Sequence, residues 1–322
     1  MVIYLEKNIW VKLIQSPMNK LIKQAFTLIE LLVVIAIIGI LSGMIVVSMS
    51  GVTQKASIAK AQIFSNSLRN SLMANIVGEW RFDDITNYTE SGGIKTIGTT
   101  SNNVVDSWNG NHGTASGGPI LKEGTDCVFG KCILFDGSND YVDFGNPNWL
   151  NTTGSMSAWI KPTSINAGQI ISISDGDTSH NFIQFYTGSN ALYLQIDTGG
   201  GIIINFSNPL MANSGWHHVV LTQNSTNVKM YIDGVLQTNT GGGQWLGSLS
   251  GLSHYRIGDT RYNNADTNWF NGLIDDVRIY NAALPTSQIK EQYYIGLNNM
   301  LNNGNISKEE YINRINNLIA KK

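Results

Sequence analysis

The sequence predicts a long N-terminal α-helix, half apolar and half amphipathic, then an all-β two-sheet sandwich, then short C-terminal helices. Three observations carry this prediction. Residues 28–47 are almost wholly apolar, and roughly 20 such residues span a bilayer as a helix. From residue 78 to 283, short apolar-alternating runs recur between turn residues, the pattern of half-buried strands. After Leu284 the apolar spacing becomes helical again.

The N-terminal part sets Lys7, Lys12, Lys20 and Lys23 against Glu6 ahead of the apolar run. That charge order keeps the N-terminus cytoplasmic and exports the rest. Two readings stand open. A cleaved secretory signal would use "SMSG" at 48–51, cutting before Gly51. A retained membrane helix fits the longer run, and it fits the stretch that follows without proline. There Ile58, Ala61, Phe64 or Leu68, Leu72 and Ile76 recur at helical spacing. Gly39 and Gly43 form a GxxxG that suits close helix packing. The second reading gives one helix from Phe26 to Val77.

The β region contains "SMSAWIKP", "NFIQFYTGSN", "ALYLQIDTGG", "WHHVVLTQNSTNVKMYIDGVLQ" and "LIDDVRIYN". Asp233-Gly234 in "YIDGVL" predicts a two-residue hairpin. About a dozen strands over roughly 200 residues suit one sandwich. Near the C-terminus, Pro285 and Thr286 open one helix and Ser307 with Glu310 forms a capping box for another. Ile306 and Tyr311 are placed as a staple around that box. Tyr311, Ile312, Ile315, Leu318 and Ile319 form one apolar stripe, which docks either on the β domain or on another chain. Both cysteines lie in "CVFGKC". Gly130 suits a tight turn, so Cys127 and Cys132 either bridge after export or stay as buried thiols.

A net charge of −2 gives no electrostatic reason for a nucleic-acid partner. Glycoside cleavage needs a pair of acids, and no run of alternating carboxylates is present. Asp175 and Asp177 bracket Gly176 in a turn-like stretch, and the adjacent Asp275-Asp276 would point to opposite faces of a strand. His217-His218 diverge for the same reason, which disfavours a metal pair. No nucleotide-binding glycine motif stands out. The expectation is therefore a protein that is not an enzyme.

The stretch "AFTLIELLVVIAIIGIL" closely resembles the N-terminus of type IV prepilins and type II secretion pseudopilins. The resemblance implies cleavage by a prepilin peptidase between Ala25 and Phe26 and methylation of the new amine on Phe26. Glu30, fifth after the cut, would then neutralise the terminal amine of a neighbouring subunit during filament assembly. Opposite charges that meet in lipid cost far less than either left alone. The family usually has Gly before the cut, where this chain has Ala25. "MNKLIKQA" from Met18 has the form of an ordinary short leader, which suggests a start at Met18. The implied parts are a leader at 1–25, a membrane and amphipathic helix at 26–77, a β domain at 78–292 and a helical tail at 293–322.

The stretches "GEWRFDD", "DSWNGNHGTASGG", "FGKCILFDGSNDYVDFG" and "FNGLIDDVRIYNAALPTSQI" resemble the laminin-G-like, concanavalin A-like jelly roll of bacterial surface proteins. Together the two resemblances imply a pilin-like subunit displaying a lectin-like head for adhesion or binding of surface glycans. The alternatives are a structural pseudopilin whose head is a spacer, and a glycan-active enzyme. The implied place is the bacterial cytoplasmic membrane with the head exported, and the implied partners are other pilin subunits. A structural calcium ion is expected at Asp84, Asp106, Asn109, Asn111 and Asp275, which offer the oxygen ligands calcium prefers. The first and last strands of the domain would pair and bring them together, with Asp275 on the core-facing side beside Val277 and Ile279. Trp108, Trp149, Trp245 and Trp269 are candidates for glycan contact.

Overall fold

The computed structural model describes residues 28–36 apart from Glu30 and Val34, and 74–320 apart from 147–152, 164–167, 177–180, 200, 211–214, 226, 239–240, 243–248 and 250. The chain divides into two compact units, Met1–Phe64 and Ser65–Lys322. In the first unit the described residues are helical, and Leu28, Ile29, Leu31, Leu32, Val33 and Ile35 are exposed. Among the described residues no helix is long and apolar enough to cross a membrane. Ala25, Phe26, Glu30, the GxxxG and the amphipathic stretch as far as Met73 lie outside the described residues. The helix expected to run to Val77 stops short of it, since residues 74–75 form a turn and Ile76 and Val77 open a strand.

The second unit is a sandwich with a helical layer. Its strands are β1 (Ile76–Trp80), β2 (Tyr88–Ser91), β3 (Ile94–Ile97), β4 (Gly113–Ser116), β5 (Ile120–Glu123), β6 (Lys131–Asp136), β7 (Tyr141–Phe144), β8 (Gly154–Pro162), β9 (Gly168–Ser174) and β10 (Asn181–Gly188). They continue as β11 (Ala191–Thr198), β12 (Ile202–Pro209), β13 (His217–Gln223), β14 (Asn227–Ile232), β15 (Val235–Leu236), β16 (Gly241–Gly242), β17 (His254–Ile257), β18 (Thr260–Tyr262), β19 (Ala265–Thr267) and β20 (Asn271–Tyr280). Helices α1 (Thr286–Asn303) and α2 (Lys308–Ala320) follow. The larger sheet runs β15-β14-β13-β8-β20-β6-β5-β3-β2, with β1 on β20 and β16 on β14. The smaller runs β12-β11-β10-β9-β17-β7-β4. First and last strands pair as expected, Trp80 opposite Val277.

The main core lies between the sheets. Ile183 and Phe185 of β10, Leu192, Leu194 and Ile196 of β11, and Met156, Ala158 and Ile160 of β8 point into it. Strand β8 is buried along nearly its whole length, because its other face is covered too. Trp159 joins a second cluster with Trp216, Tyr293, Leu297, Met300 and Leu318. The tail therefore docks on the β domain. Helix α1 comes so close that a Cβ on Gly296 would sit 2.0 Å from the Trp159 ring.

Local signals hold with two amendments. Asp233 and Gly234 take φ of 54° and 74°, the left-handed pair of a two-residue hairpin turn. Ser307 Oγ accepts the Glu310 amide at 3.1 Å, yet the Glu310 carboxylate turns to Arg314 at 2.8 Å, so the capping box is half formed. The α2 stripe also splits. Leu318 is buried and Tyr311 and Ile315 pack on the second cluster, while Ile312 and Ile319 remain exposed.

Candidate functional site

The outer face of the smaller sheet is built by alternation. With Ile183 and Phe185 in the core, Gln184 and Tyr186 face outward, and with Leu192 and Leu194 in the core, so do Tyr193 and Gln195. Strand register then lines up Thr114, Asp143, Arg256, Ser172, Gln184, Gln195 and Asn205 in one polar row across the sheet. In the next row Tyr186 lies opposite Tyr193. Their rings stack at 5.0 Å between centroids and 11° between planes. Both are half-buried, Gln195 is half-buried and Asn205 is exposed.

The β18–β19 hairpin lies over the middle of this face. Ser172 Oγ donates to the Asp259 carbonyl and Ser174 Oγ to the Arg261 carbonyl, each at 2.7 Å, and Tyr262 meets Phe182 edge-on at 5.8 Å. Beneath it Arg256 donates to Asp259 at 2.8 Å and Asp266 at 2.9 Å, lies 3.4 Å from Asp143, and covers the Tyr141 ring at 4.1 Å. Arg261 also donates to Asp266, at 2.8 Å. Burial pushes the Asp259 carboxyl up to about 7, against the pull of Arg256. The network fixes the hairpin, and the open part of the face is the strip from β10 to β12.

The five expected calcium ligands do not form one centre. Asp106 Oδ1 accepts the amides of Glu79 and Trp108, and its Oδ2 accepts those of Asn109 and Asn111 and the Asn111 side chain. It is a loop staple whose oxygens are already used. Asn109 and Asp84 are exposed. Phe82 has φ of 64°, which ends the strand alternation just after β1, so that Asp83, whose Oδ1 accepts the Lys131 amide at 2.9 Å, is the acid that turns inward.

Asp275 is fully buried, but not on the predicted face. Asp276 and Val277 oppose the single residue Ala158 across the β20–β8 pair, a bulge whose first residue has φ of 50°. The extra residue sends Val277 and Ile279 into the core while Asp275 faces the disulfide loop. There Asp275 Oδ2 accepts the amides of Val128 at 3.0 Å and Phe129 at 2.8 Å, and Oδ1 has no hydrogen-bond partner among the described residues. Burial, with Asp276 and Asp83 adding to it, holds this carboxyl well above the usual range. Among the described residues no group of three or more His, Cys, Asp or Glu is gathered as a metal would need. Cys127 and Cys132 are bridged. His217 and His218 diverge: His217 Nδ1 lies 2.7 Å from Asp233 Oδ2, while His218 is buried and 5.1 Å from the Trp159 ring.

Residues 22–46 match the family model of the prokaryotic N-terminal methylation motif, and residues 136–290 match that of the concanavalin A-like lectin/glucanases superfamily. The chain joins a prepilin methylation motif to a concanavalin A-like head. Among curated proteins nothing matches. Similar solved structures include domain 4 of an extracellular arabinanase from Geobacillus stearothermophilus in complex with arabinotriose (18% identity, 67% of this chain, 97% of that chain, TM-score 0.49). The sialidase carbohydrate-binding module of Ruminococcus gnavus bound to α2,3-sialyllactose is another (17%, 54%, 97%, 0.43). A leech intramolecular trans-sialidase shares 17% over 44% of this chain and 23% of its own, at 0.40.

Within the concanavalin A-like head, the tryptophans expected to contact glycans fare differently. Trp108 is 40% exposed on the loop stapled by Asp106. Trp269 is half-buried, and its Nε1 lacks an acceptor among the described residues. Trp149 and Trp245 lie outside the described residues. The aromatic pair that the head does display, Tyr186 and Tyr193, was missed. Its signal was present: "TGSNAL" closes a hairpin in which Ser189 and Asn190 take φ of 44° and 63°, and counting outward from that turn pairs the two tyrosines.

Proposed function

We propose that this protein is a type IV pilin-like subunit whose concanavalin A-like head binds saccharides at the cell surface, on the β10–β12 strip. One observation carries the binding part. Two stacked tyrosines stand beside uncharged amides on an open sheet face, offering an apolar surface for the C–H face of a sugar ring and polar partners for its hydroxyls. The methylation motif supports display on a filament or pseudopilus. Binding is favoured over catalysis because Asp143, Asp259 and Asp266 are all committed to Arg256. The test is a glycan array probed with the full chain in detergent. Selective binding that is lost in Tyr186→Ala/Tyr193→Ala supports the reading, and an array with no bound glycan removes it in favour of a spacer head.

Calcium is proposed on a narrower basis than the sequence suggested. The buried Oδ1 of Asp275, without a hydrogen-bond partner among the described residues, is an oxygen of the kind calcium takes. An ion bound only to the native state stabilises by roughly 2.7 kcal/mol at about a hundredfold excess over its dissociation constant. Chelator is expected to lower the melting temperature and Asp275→Asn to abolish that response. No change on chelation, with no calcium by elemental analysis, removes the site.

A further inference from the structure

We infer that the tyrosine strip takes uncharged saccharides and discriminates against sialylated or uronate-bearing ones. This rests on the saccharide-binding reading above and adds the charge class of the ligand. A carboxylate-bearing sugar needs a cation, and the outer face has none to spare among its described residues. Arg256 is held by Asp143, Asp259 and Asp266, and Arg261 by Asp266. His254, outward on β17, is pulled down by burial and by its arginine neighbours, so it is neutral at ordinary pH.

The sequence offers few further Lys or Arg. Between Lys161 and Arg256 the chain contains one Lys or Arg, Lys229, and that residue stands exposed on β14 of the other sheet. The segments that link the strands of the strip therefore bring no Lys or Arg to it. Carboxylates are present instead. Asp197, two residues along β11 from Gln195, uses Oδ1 to accept the amides of Gly199 at 2.9 Å and Gly201 at 3.3 Å. An anionic sugar on Gln195 would meet that carboxylate roughly 7 Å away, within a Debye length at physiological salt. Apart from Asp197, the described groups that reach outward along the strip, Tyr186, Tyr193, Gln195 and Asn205, are uncharged and suit hydroxyls.

The experiment compares matched pairs, each neutral glycan with its sialylated or uronate counterpart, on the full chain in detergent at pH 8. The expected result is binding of neutral members, about tenfold or more weaker binding of acidic ones, and little change in neutral binding between low and high salt. Tyr186→Ala and Tyr193→Ala are expected to lose binding, while Tyr186→Phe, which keeps the ring, retains most of it. Binding that disappears on sialidase treatment overturns the inference and leaves saccharide binding standing. So does undiminished binding by a folded Tyr186→Ala/Tyr193→Ala variant, which would place the site elsewhere. No binding of any saccharide removes both.

Discussion

Asp106 and His218 show how single side chains set the behaviour of the head. Asp106 accepts five N–H bonds, so Asp106→Ala leaves several loop amides without their acceptor. A buried donor left unpaired costs about 1–3 kcal/mol. A loss of at least that size is expected in denaturant unfolding, and a loss below about 0.5 kcal/mol would mean the loop is held by other contacts. His218 packs beside the Trp159 and Tyr293 rings, 5.1 and 6.4 Å away between centroids, and burial pushes its pKa down to about 3 despite the nearby Asp233. As pH falls below about 6.5 the unfolded chain takes up a proton that the folded chain refuses, so stability is lost from there down towards pH 3. At pH 5 the loss from this group is roughly 2 kcal/mol relative to pH 7.5. Asp140, raised to about 6 by burial, and Asp259, raised to about 7, act the other way. Their folded forms keep protons that the unfolded chain has released, which favours folding on acidification. The comparison is therefore between wild type and His218→Phe at each pH. The variant is expected to flatten the acid limb, and parallel curves would refute the assignment.

At the scale of elements, the disulfide loop and the helical tail are mutually dependent. The bridged loop presents the Val128 and Phe129 amides to Asp275, and Asn305 just beyond α1 donates to the Thr125 and Cys127 carbonyls at 2.7 and 2.8 Å. Arg314 of α2 donates to the Trp216 carbonyl at 2.7 Å. Gly296 is the tightest point of this layer, since any side chain there strikes Trp159. Helix propensity alone would make Gly296→Ala stabilising by up to about 1 kcal/mol, whereas overpacking costs about 1–3 kcal/mol. A lowered melting temperature with altered tryptophan fluorescence is expected. A stabilised variant would show that α1 is free to shift outward.

For the whole molecule the decisive property is order along the chain, a methylation motif first and a concanavalin A-like head after it. The mature protein is expected to start at N-methylated Phe26, read directly by mass spectrometry. A terminus at Gly51 would instead make it an ordinary secreted lectin-like protein. Glu30→Gln is expected to leave the head folded and the chain in the membrane while reducing its recovery in filaments, and normal recovery would remove the charge-pairing account.

The sequence by itself determined whatever depends on neighbours in the chain. The apolar run with its motif, the Asp233-Gly234 turn and the Ser307 cap are all set within a few residues, where propensity, φ preference and short reach decide. The alternation that makes two sheets was legible for the same reason. Tertiary structure alone decided three things. It placed Asp275 away from the core, because one extra residue at Asp276 reverses the face of all that precede it. It covered the second face of β8 with α1 and α2, a choice between partners that an apolar stripe cannot make. It also brought Asp143, Arg256, Gln184 and Gln195 into one row. Cross-strand register between β7, β17, β9 and β10 is fixed by packing of the shared core, not by any local signal along those strands.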